Sequence, residues 1–174
     1  MTREQVEHVL RAAGAITGKQ EWVIVGSQAI LGSIPNAPHE ITLSEEVDLY
    51  SPEDAFASDL LDGSIGERSP FHETFGYYAH GVGAETATLP HDWRKRAAVI
   101  QTESTGGVAG ICPHPADLAV SKLVAWREKD RDFVVALLRH TLVDPADVEA
   151  SLSQLEPELA STLRARLRSA QALA

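Results

Sequence analysis

Two carboxylates with the spacing of a β-strand form the most chemically informative pair in this 174-residue sequence. Glu46 and Asp48 lie two positions apart in the segment Ser44–Tyr50, which is predicted to contain a strand, so both side chains project from one face. Neighbouring carboxylates repel each other unless a cation lies between them, and Mg²⁺ typically takes one or two carboxylates together with phosphate oxygens. The pair therefore predicts a Mg²⁺ site. Alternating acids are also typical of the solvent face of an edge strand, which is the alternative.

A glycine-serine turn precedes this pair along the chain. The apolar run Trp22–Val25 predicts a buried strand that ends at Gly26 and Ser27. The following segment, Gln28–Leu31, predicts a short helix. Backbone N–H groups converge at such a strand-to-helix turn, and glycine lets an anion approach the backbone closely. The turn predicts a phosphate site, although a plain turn has the same sequence. A metal held nearby would neutralise a triphosphate and activate an attacking hydroxyl.

A lysine in the C-terminal third is a further candidate for this site. Lys122 is the only charged residue in the apolar helical run 118–126, and a buried ammonium needs a carboxylate or phosphate partner. It could equally extend along its apolar stem to the surface. Charges alternate over 127–132, so Lys129 or Asp130 could line a site or belong to a salt-bridged solvent face.

The surrounding pattern predicts an α/β (α+β) protein with a mixed sheet, flanking helices and a helical C-terminal part. Ser51 followed by Pro52 predicts a helix start, because serine caps helices and proline suits their first turn. Helices are predicted over 3–15, 51–61, 115–128 and 130–140 (the last continuing or restarting its predecessor) and from Pro145 and Pro157; strands are predicted over 22–25, 47–50, 76–80, 86–89, 97–102 and 108–112. Residues 1–174 are predicted to form a single domain, with a core over about 1–112 and helices over about 113–174.

Composition narrows the classes of function. With 25 acidic against 15 basic residues, the net charge of −10 argues against broad non-specific binding of nucleic acid, though not against a local basic groove. No apolar run approaches the roughly 18 residues that cross a bilayer, and the polar N-terminus does not resemble a secretory signal. Cys112, the single cysteine, excludes an intramolecular disulfide. We expect a soluble cytoplasmic protein with no membrane partner.

A family resemblance covers residues 22 to about 142. The segments that carry it are Val25–Gly32 (VGSQAILG), Ser44–Tyr50 (SEEVDLY), Phe71–Tyr78 (FHETFGYY), Leu89–Arg96 (LPHDWRKR) and His114–Asp130 (HPADLAVSKLVAWREKD). They resemble the bacterial nucleotidyltransferase-like family DUF6036, which is related to nucleotidyltransferase toxins of the AbiEii type. The resemblance implies that the acid pair binds Mg²⁺ and that Gly26 and Ser27 hold nucleotide phosphates. It also implies that Lys122 contacts the triphosphate and that Asp130 completes the site; Arg127 and Lys129 are further candidates for nucleotide binding.

The implied function is Mg²⁺-dependent transfer of a nucleoside monophosphate from an NTP to a hydroxyl of RNA (tRNA) or protein. Its setting would be a toxin–antitoxin or phage-defence system with a cognate antitoxin or toxin protein. Glu46 stands where many relatives have Asp, and the third acid common in nucleotidyltransferases is not obvious. Three glutamates are candidates for it: Glu67, Glu73 and Glu103. The alternatives are a degenerate, non-catalytic fold that binds a nucleotide or partner, and a structural domain whose acids face solvent.

Overall fold

A five-stranded sheet and eight α-helices form the fold, which the computed structural model describes for residues 1–174. In chain order the elements are α1 (Arg3–Thr17), β1 (Glu21–Val25), α2 (Ile30–Ser33), β2 (Glu46–Tyr50), α3 (Phe56–Ile65), α4 (Pro70–Phe75), β3 (Tyr78–Gly81), β4 (Ala98–Ile100), β5 (Ala109–Cys112), α5 (Pro115–Ala125), α6 (Glu128–Arg139), α7 (Pro145–Leu152) and α8 (Pro157–Gln171). None of these helices combines the length and apolar character that crossing a membrane requires.

These elements belong to two compact units. The first comprises Met1–Ala87 and Ala97–Cys112, and it contains the sheet and α1–α4. The second comprises Thr88–Arg96 and Pro113–Ala174, and it contains α5–α8. Residues 88–96 group with the helices of the second unit rather than with the sheet. The prediction of one domain over 1–174 stays a prediction.

The sheet is mixed, as the sequence predicts, with the strand order β3-β2-β1-β5-β4. β1 pairs antiparallel with β2 and parallel with β5; β3 is parallel to β2, and β4 is antiparallel to β5. β1 is the central strand and is apolar, with Trp22, Val23 and Ile24 fully buried. Its C-terminal residue, Val25, is in register with Asp48 of β2. This register brings the end of β1 beside the predicted acid pair.

The helix predicted to start at Ser51 starts later. The Ser51 hydroxyl accepts the N–H of Glu53, only two residues on, at 3.4 Å, and α3 begins at Phe56. Such a serine turn competes with helix formation. Asp54 accepts the N–H of Phe56 at 3.1 Å and pairs with Lys19 at 3.2 Å. The predicted start was wrong because these local and tertiary contacts hold residues 51–55 outside the helix.

The strand predicted over 76–80 begins two residues later, after a helix that the sequence analysis does not predict. Ser69 caps α4 by accepting the N–H of His72 at 3.1 Å. Gly76 ends that helix with a φ of 74°, a left-handed conformation that glycine adopts without steric cost. The chain is extended only from Tyr78, where β3 starts.

The prediction of a strand over 86–89 was wrong. A 3₁₀ turn covers Ala84–Thr86, and no strand follows it before β4. The second compact unit begins at Thr88, so Leu89 belongs with the helices rather than with the sheet. Strands β4 and β5 are confirmed with shorter bounds than predicted.

In the second unit, α5 and α6 are separate helices. Trp126 ends α5 with a left-handed φ of 51°, and Arg127 is the N-cap residue of α6. The backbone N–H of Arg127 donates to the Asp130 carboxylate at 3.3 Å, which fixes the restart. The predicted helix starts at Pro145 and Pro157 are confirmed. Buried leucines from all four helices form the core of this unit: Leu118, Leu123, Leu137, Leu152 and Leu163.

Candidate functional site

Four polar side chains form a two-by-two arrangement on one face of β2 and β3. Glu46 and Asp48 are half-buried on this face, whereas Val47 between them points the other way into the core. The parallel register of β3 sets Tyr78 beside Glu46 and His80 beside Asp48. The two predicted carboxylates therefore share a face with a phenol and an imidazole.

Each carboxylate is hydrogen-bonded to its neighbour on β3. The Tyr78 hydroxyl donates to Oε2 of Glu46 at 3.1 Å, and Nδ1 of His80 lies 2.9 Å from Oδ1 of Asp48. Because an ionised carboxylate can only accept, His80 is the donor in its pair. Burial, followed by the charge of Glu46, raises the pKa of Tyr78 to about 12, so the phenol stays protonated at neutral pH. These bonds orient the two carboxylates, and the neutral phenol does so without cancelling the charge of Glu46.

The residues of this face fit a divalent cation. Glu46, Asp48 and His80 each offer one ligand atom, and the three atoms lie within 4.8 Å of one another. A cleft of about 290 Å³ is lined by Glu46, Asp62, Glu67, Tyr78 and His80, with no lysine or arginine among them. The carboxylates of this cleft would repel a triphosphate in the absence of a cation. Carboxylate oxygens and imidazole nitrogen are common ligands of divalent ions.

Gly26 brings the end of β1 against the Asp48 carboxylate. Its φ of 72° and ψ of −166° lie in a region that essentially only glycine occupies. A Cβ atom at this position would overlap Oδ2 of Asp48. Glycine is therefore required both by the backbone conformation and by the close approach to the carboxylate. The predicted phosphate turn and the predicted metal ligand are immediate neighbours.

The loop that leads into β2 is tied to this turn by Gln28. The fully buried amide of Gln28 donates to the carbonyl oxygens of Thr42 at 3.4 Å and of Ser44 at 3.0 Å. The N-terminal ammonium of Met1 donates to the same two carbonyls. Burial lowers the pKa of this ammonium, an effect that the charge of Glu45 partly offsets. Because two donors fix residues 42–44, the start of β2 has a defined position next to the Gly26 turn.

The helix after the turn is short. A 3₁₀ turn spans Ser27–Ala29, and α2 has only four residues, Ile30–Ser33. A helix of this length has few aligned peptide dipoles, so its field adds little at Ser27. A phosphate here would depend on the backbone N–H groups and on the absence of a side chain at Gly26. Phosphate binding by Gly26 and Ser27 stays a prediction.

The other predicted site residues lie in the second unit. Nζ of Lys122 is 3.1 Å from Oδ1 of Asp130, and Nε of Arg127 is 2.6 Å from Oδ2. The Asp130 side chain is fully buried, whereas Lys129 is exposed. Burial raises the pKa of Asp130, but the hydrogen bonds and the positive charges of Arg127 and Lys122 together outweigh it and lower the pKa. Lys122 thus has the carboxylate partner that its burial requires, and the predicted roles of these four residues toward a nucleotide stay predictions.

His80 is the member of the cluster that the sequence analysis does not assign to the site of Glu46 and Asp48. Alternation within the strand predicted over 76–80 places Tyr78 and His80 on one face. The register that sets His80 beside Asp48 arises from parallel pairing of β3 with β2, which no local pattern specifies. Of the glutamates considered as a third acid, Glu67 lines the cleft, whereas Glu73 and Glu103 do not.

Comparison with known proteins supports the resemblance seen in the motifs. Residues 4–164 match the model of a family described as nucleotidyltransferase of unknown function, DUF6036. No curated protein and no solved structure matches the chain. The matched range includes residues of both compact units, among them every predicted site residue. The chain belongs to the DUF6036 family of nucleotidyltransferases of unknown function.

Proposed function

We propose that this protein transfers a nucleoside monophosphate from an NTP to a hydroxyl group of RNA (tRNA) or of a protein, with Mg²⁺ as its metal ion. The observation that carries the proposal is the placement of the Glu46 and Asp48 carboxylates on one face, with Asp48 directly against the Gly26 turn. A metal site adjoining an open backbone turn is what a triphosphate substrate requires. Membership of the nucleotidyltransferase family agrees with this chemistry.

In this proposal each residue of the face has a distinct part. Glu46 and Asp48 would hold Mg²⁺, which when bound neutralises phosphate charge and favours attack by a hydroxyl. Tyr78 holds Glu46 in position through its 3.1 Å hydrogen bond. The N–H groups of Gly26 and Ser27 would donate to phosphate oxygens. The acceptor oxygen forms a bond to the α-phosphorus as the bond from that phosphorus to pyrophosphate breaks. A carboxylate of the site takes the proton of the acceptor hydroxyl.

The second unit would contribute cations that contact the nucleotide. Lys122 would contact the pyrophosphate side of the substrate, with Arg127 and Lys129 nearby. The 3.1 Å pairing of Lys122 with Asp130 competes with that contact, because a phosphate would have to share or replace the carboxylate. Asp130 already accepts hydrogen bonds from two cations, which favours a stabilising role for it over metal binding.

The acceptor is tested by incubating the protein with each α-labelled NTP, Mg²⁺ and a mixture of RNA and protein. We expect the label to enter macromolecules with the wild type and with Glu45→Gln, a matched control whose side chain is exposed and lies next to the site. In Glu46→Gln/Asp48→Asn, transfer should fall at least about 100-fold, because a bound metal contributes several kcal/mol to transition-state stabilisation. Equal labelling in this double variant would contradict the proposal. Nuclease or protease sensitivity of the label then identifies the acceptor.

A non-catalytic role is the competing proposal, and the imidazole of His80 beside Asp48, instead of a third acid, favours it. A protein of that kind would release no pyrophosphate from any NTP. It would still be stabilised by an NTP with Mg²⁺, and this stabilisation would be lost in Glu46→Gln/Asp48→Asn.

A toxin role, with an antitoxin as partner, is the most specific part of the proposal and depends on the resemblance to AbiEii-type toxins. Induction in bacterial cells tests it. Growth should stop with the wild type and continue with Glu46→Gln at equal protein level. Growth arrest by both proteins would contradict a role for the metal site in toxicity.

A further inference from the structure

His80 occupies the position on β3 that lies directly beside Asp48 in the parallel register. Its imidazole side chain is half-exposed, so an ion in the cleft can reach it without rearrangement of the core. Together with Glu46 and Asp48 it completes the set of three ligand atoms within 4.8 Å of one another. The question is whether His80 only orients Asp48 or itself binds the ion.

The distance between the paired atoms matches that of two metal ligands. Nδ1 of His80 and Oδ1 of Asp48 are 2.9 Å apart. Adjacent ligands of an octahedral ion with bonds of about 2.1 Å are separated by roughly 3 Å. A divalent ion can therefore replace the proton between these two atoms without moving either side chain far. If His80 only oriented Asp48, its Nδ1 atom would lie beyond bonding distance of the ion.

We propose that His80 is a direct nitrogen ligand of the divalent ion bound by Glu46 and Asp48, and that this ligand shifts the site's preference from Mg²⁺ toward later first-row ions such as Mn²⁺ and Co²⁺. The inference rests on the metal site of the proposed function. An imidazole in place of a third carboxylate leaves the donor set with two negative charges, which balance one divalent ion. Imidazole binds the later first-row metals well, whereas Mg²⁺ prefers oxygen ligands.

Pulsed electron paramagnetic resonance of the Mn²⁺-loaded protein tests the ligand directly. We expect the wild type to show coupling of Mn²⁺ to a directly bound imidazole nitrogen. His80→Asp, which restores a carboxylate at the third position, should bind Mn²⁺ without this coupling. The matched control is His72→Asn, because His72 lies near the same face with its ring 4.6 Å from that of Tyr78. This variant should keep the coupling, and His80→Asn provides a second, uncharged replacement if His80→Asp folds poorly.

Metal selectivity gives an independent readout that needs no catalysis. The ratio of the Mg²⁺ to the Co²⁺ dissociation constant, measured by calorimetry, should fall about tenfold or more in His80→Asp relative to the wild type. Mn²⁺ binding without nitrogen coupling, coupling that persists in His80→Asp, or an unchanged ratio would each overturn the role of His80 and leave the metal site intact. Failure of the wild type to bind any of the three ions would overturn both this inference and the metal site of the proposed function.

Discussion

The carboxylates of the two compact units have different partners. In the first unit, Glu46 and Asp48 are hydrogen-bonded to a phenol and an imidazole, and Glu46 borders an open cleft. In the second unit, Asp117 and Asp130 are fully buried and paired with cations. A neutral donor orients a carboxylate, whereas an adjacent cation also cancels its charge.

Both buried carboxylates of the second unit have cationic partners. Asp117 accepts hydrogen bonds from Arg96 at 2.6 Å and from the Ser151 hydroxyl at 2.8 Å. Asp130 is held in the same way by Lys122 and Arg127. These contacts connect α5 with α6, α7 and the segment 88–96. Charge complementarity within the fold explains why such acids are present, so they need no substrate to account for them.

The face of β2 and β3 has the opposite property. Two carboxylates with ligand atoms within 4.8 Å of each other repel by about 1 kcal/mol at water's dielectric constant and by several times more where the environment is less polar. A divalent cation bound between the two carboxylates would offset this repulsion. Clustered carboxylates beside an imidazole on a half-buried face favour a binding site, whereas fully buried carboxylates paired with cations favour a structural role.

The largest predicted effect concerns the buried pairs. Asp130→Asn leaves the Lys122 ammonium, which is 13% exposed, without its charged partner. The free energy of unfolding should fall by about 3–5 kcal/mol, the usual cost of breaking a buried ion pair from one side. Urea denaturation measures this. The control is Asp132→Asn, because Asp132 is 67% exposed and its neighbour Arg131 is 3.8 Å away; its effect should stay within about 0.5 kcal/mol. An Asp130→Asn protein as stable as the wild type would contradict the structural role of the pair formed by Asp130 and Lys122.

A smaller effect is expected at the turn beside the open face. Gly26→Ala forces a Cβ into a conformation with φ of 72° and into the Asp48 carboxylate. Strain of this kind costs on the order of 1–3 kcal/mol, and displacement of Asp48 should weaken Mg²⁺ binding as well. Gly18→Ala is the control, since its φ of 73° is similar but nothing lies within 4 Å of the added atom. That variant should lose stability and keep its affinity for Mg²⁺. Equal Mg²⁺ affinities of the wild type, Gly26→Ala and Gly18→Ala would show that Gly26 does not position the metal ligand Asp48.

Local patterns predicted the parts of this turn but not its surroundings. The apolar residues before Gly26 and the alternation of Glu46 and Asp48 indicate two strands, and both are present. The partners of the acids depend on register: His80 faces Asp48 only because β3 pairs parallel with β2, which is a non-local choice. Likewise, a cluster of charges after α5 could not be divided by sequence into solvent and buried members, and Asp130 is buried.

Two serine-proline pairs also show that local sequence does not fix where a helix begins. Ser69 before Pro70 caps α4, whereas Ser51 before Pro52 only forms a turn at the end of β2. The dipeptides are alike, and the difference lies in the residues after each of them. Asp54 is paired with Lys19, which holds the chain outside the helix until Phe56. Capping chemistry is predictable from sequence, but its competition with tertiary ion pairs is not.

The smallest predicted effect tests the neutral partner of Glu46. Tyr78→Phe removes one hydrogen bond to a carboxylate and should cost about 1 kcal/mol near neutral pH. Because burial and then Glu46 raise the pKa of Tyr78 to about 12, its folded-state pKa exceeds the ordinary value of 10.0. The stabilisation is therefore fully present below pH 10 and is lost as pH rises from there toward 12. The stability difference between Tyr78→Phe and wild type should shrink over that range. A constant difference would show that the phenol is not held as a donor.

The claim that Glu46 and Asp48 form a cation site is tested most directly by the unfolding free energy of the wild type and of Glu46→Gln, each measured in chelator and in Mg²⁺. In chelator we expect Glu46→Gln to be at least as stable as the wild type, because the substitution relieves repulsion between the two acids. In Mg²⁺ at about 100 times its dissociation constant, the wild type should gain about 2.7 kcal/mol and the variant almost nothing, so their order reverses. A wild type that Mg²⁺ does not stabilise, or a variant that it stabilises equally, would contradict the metal site.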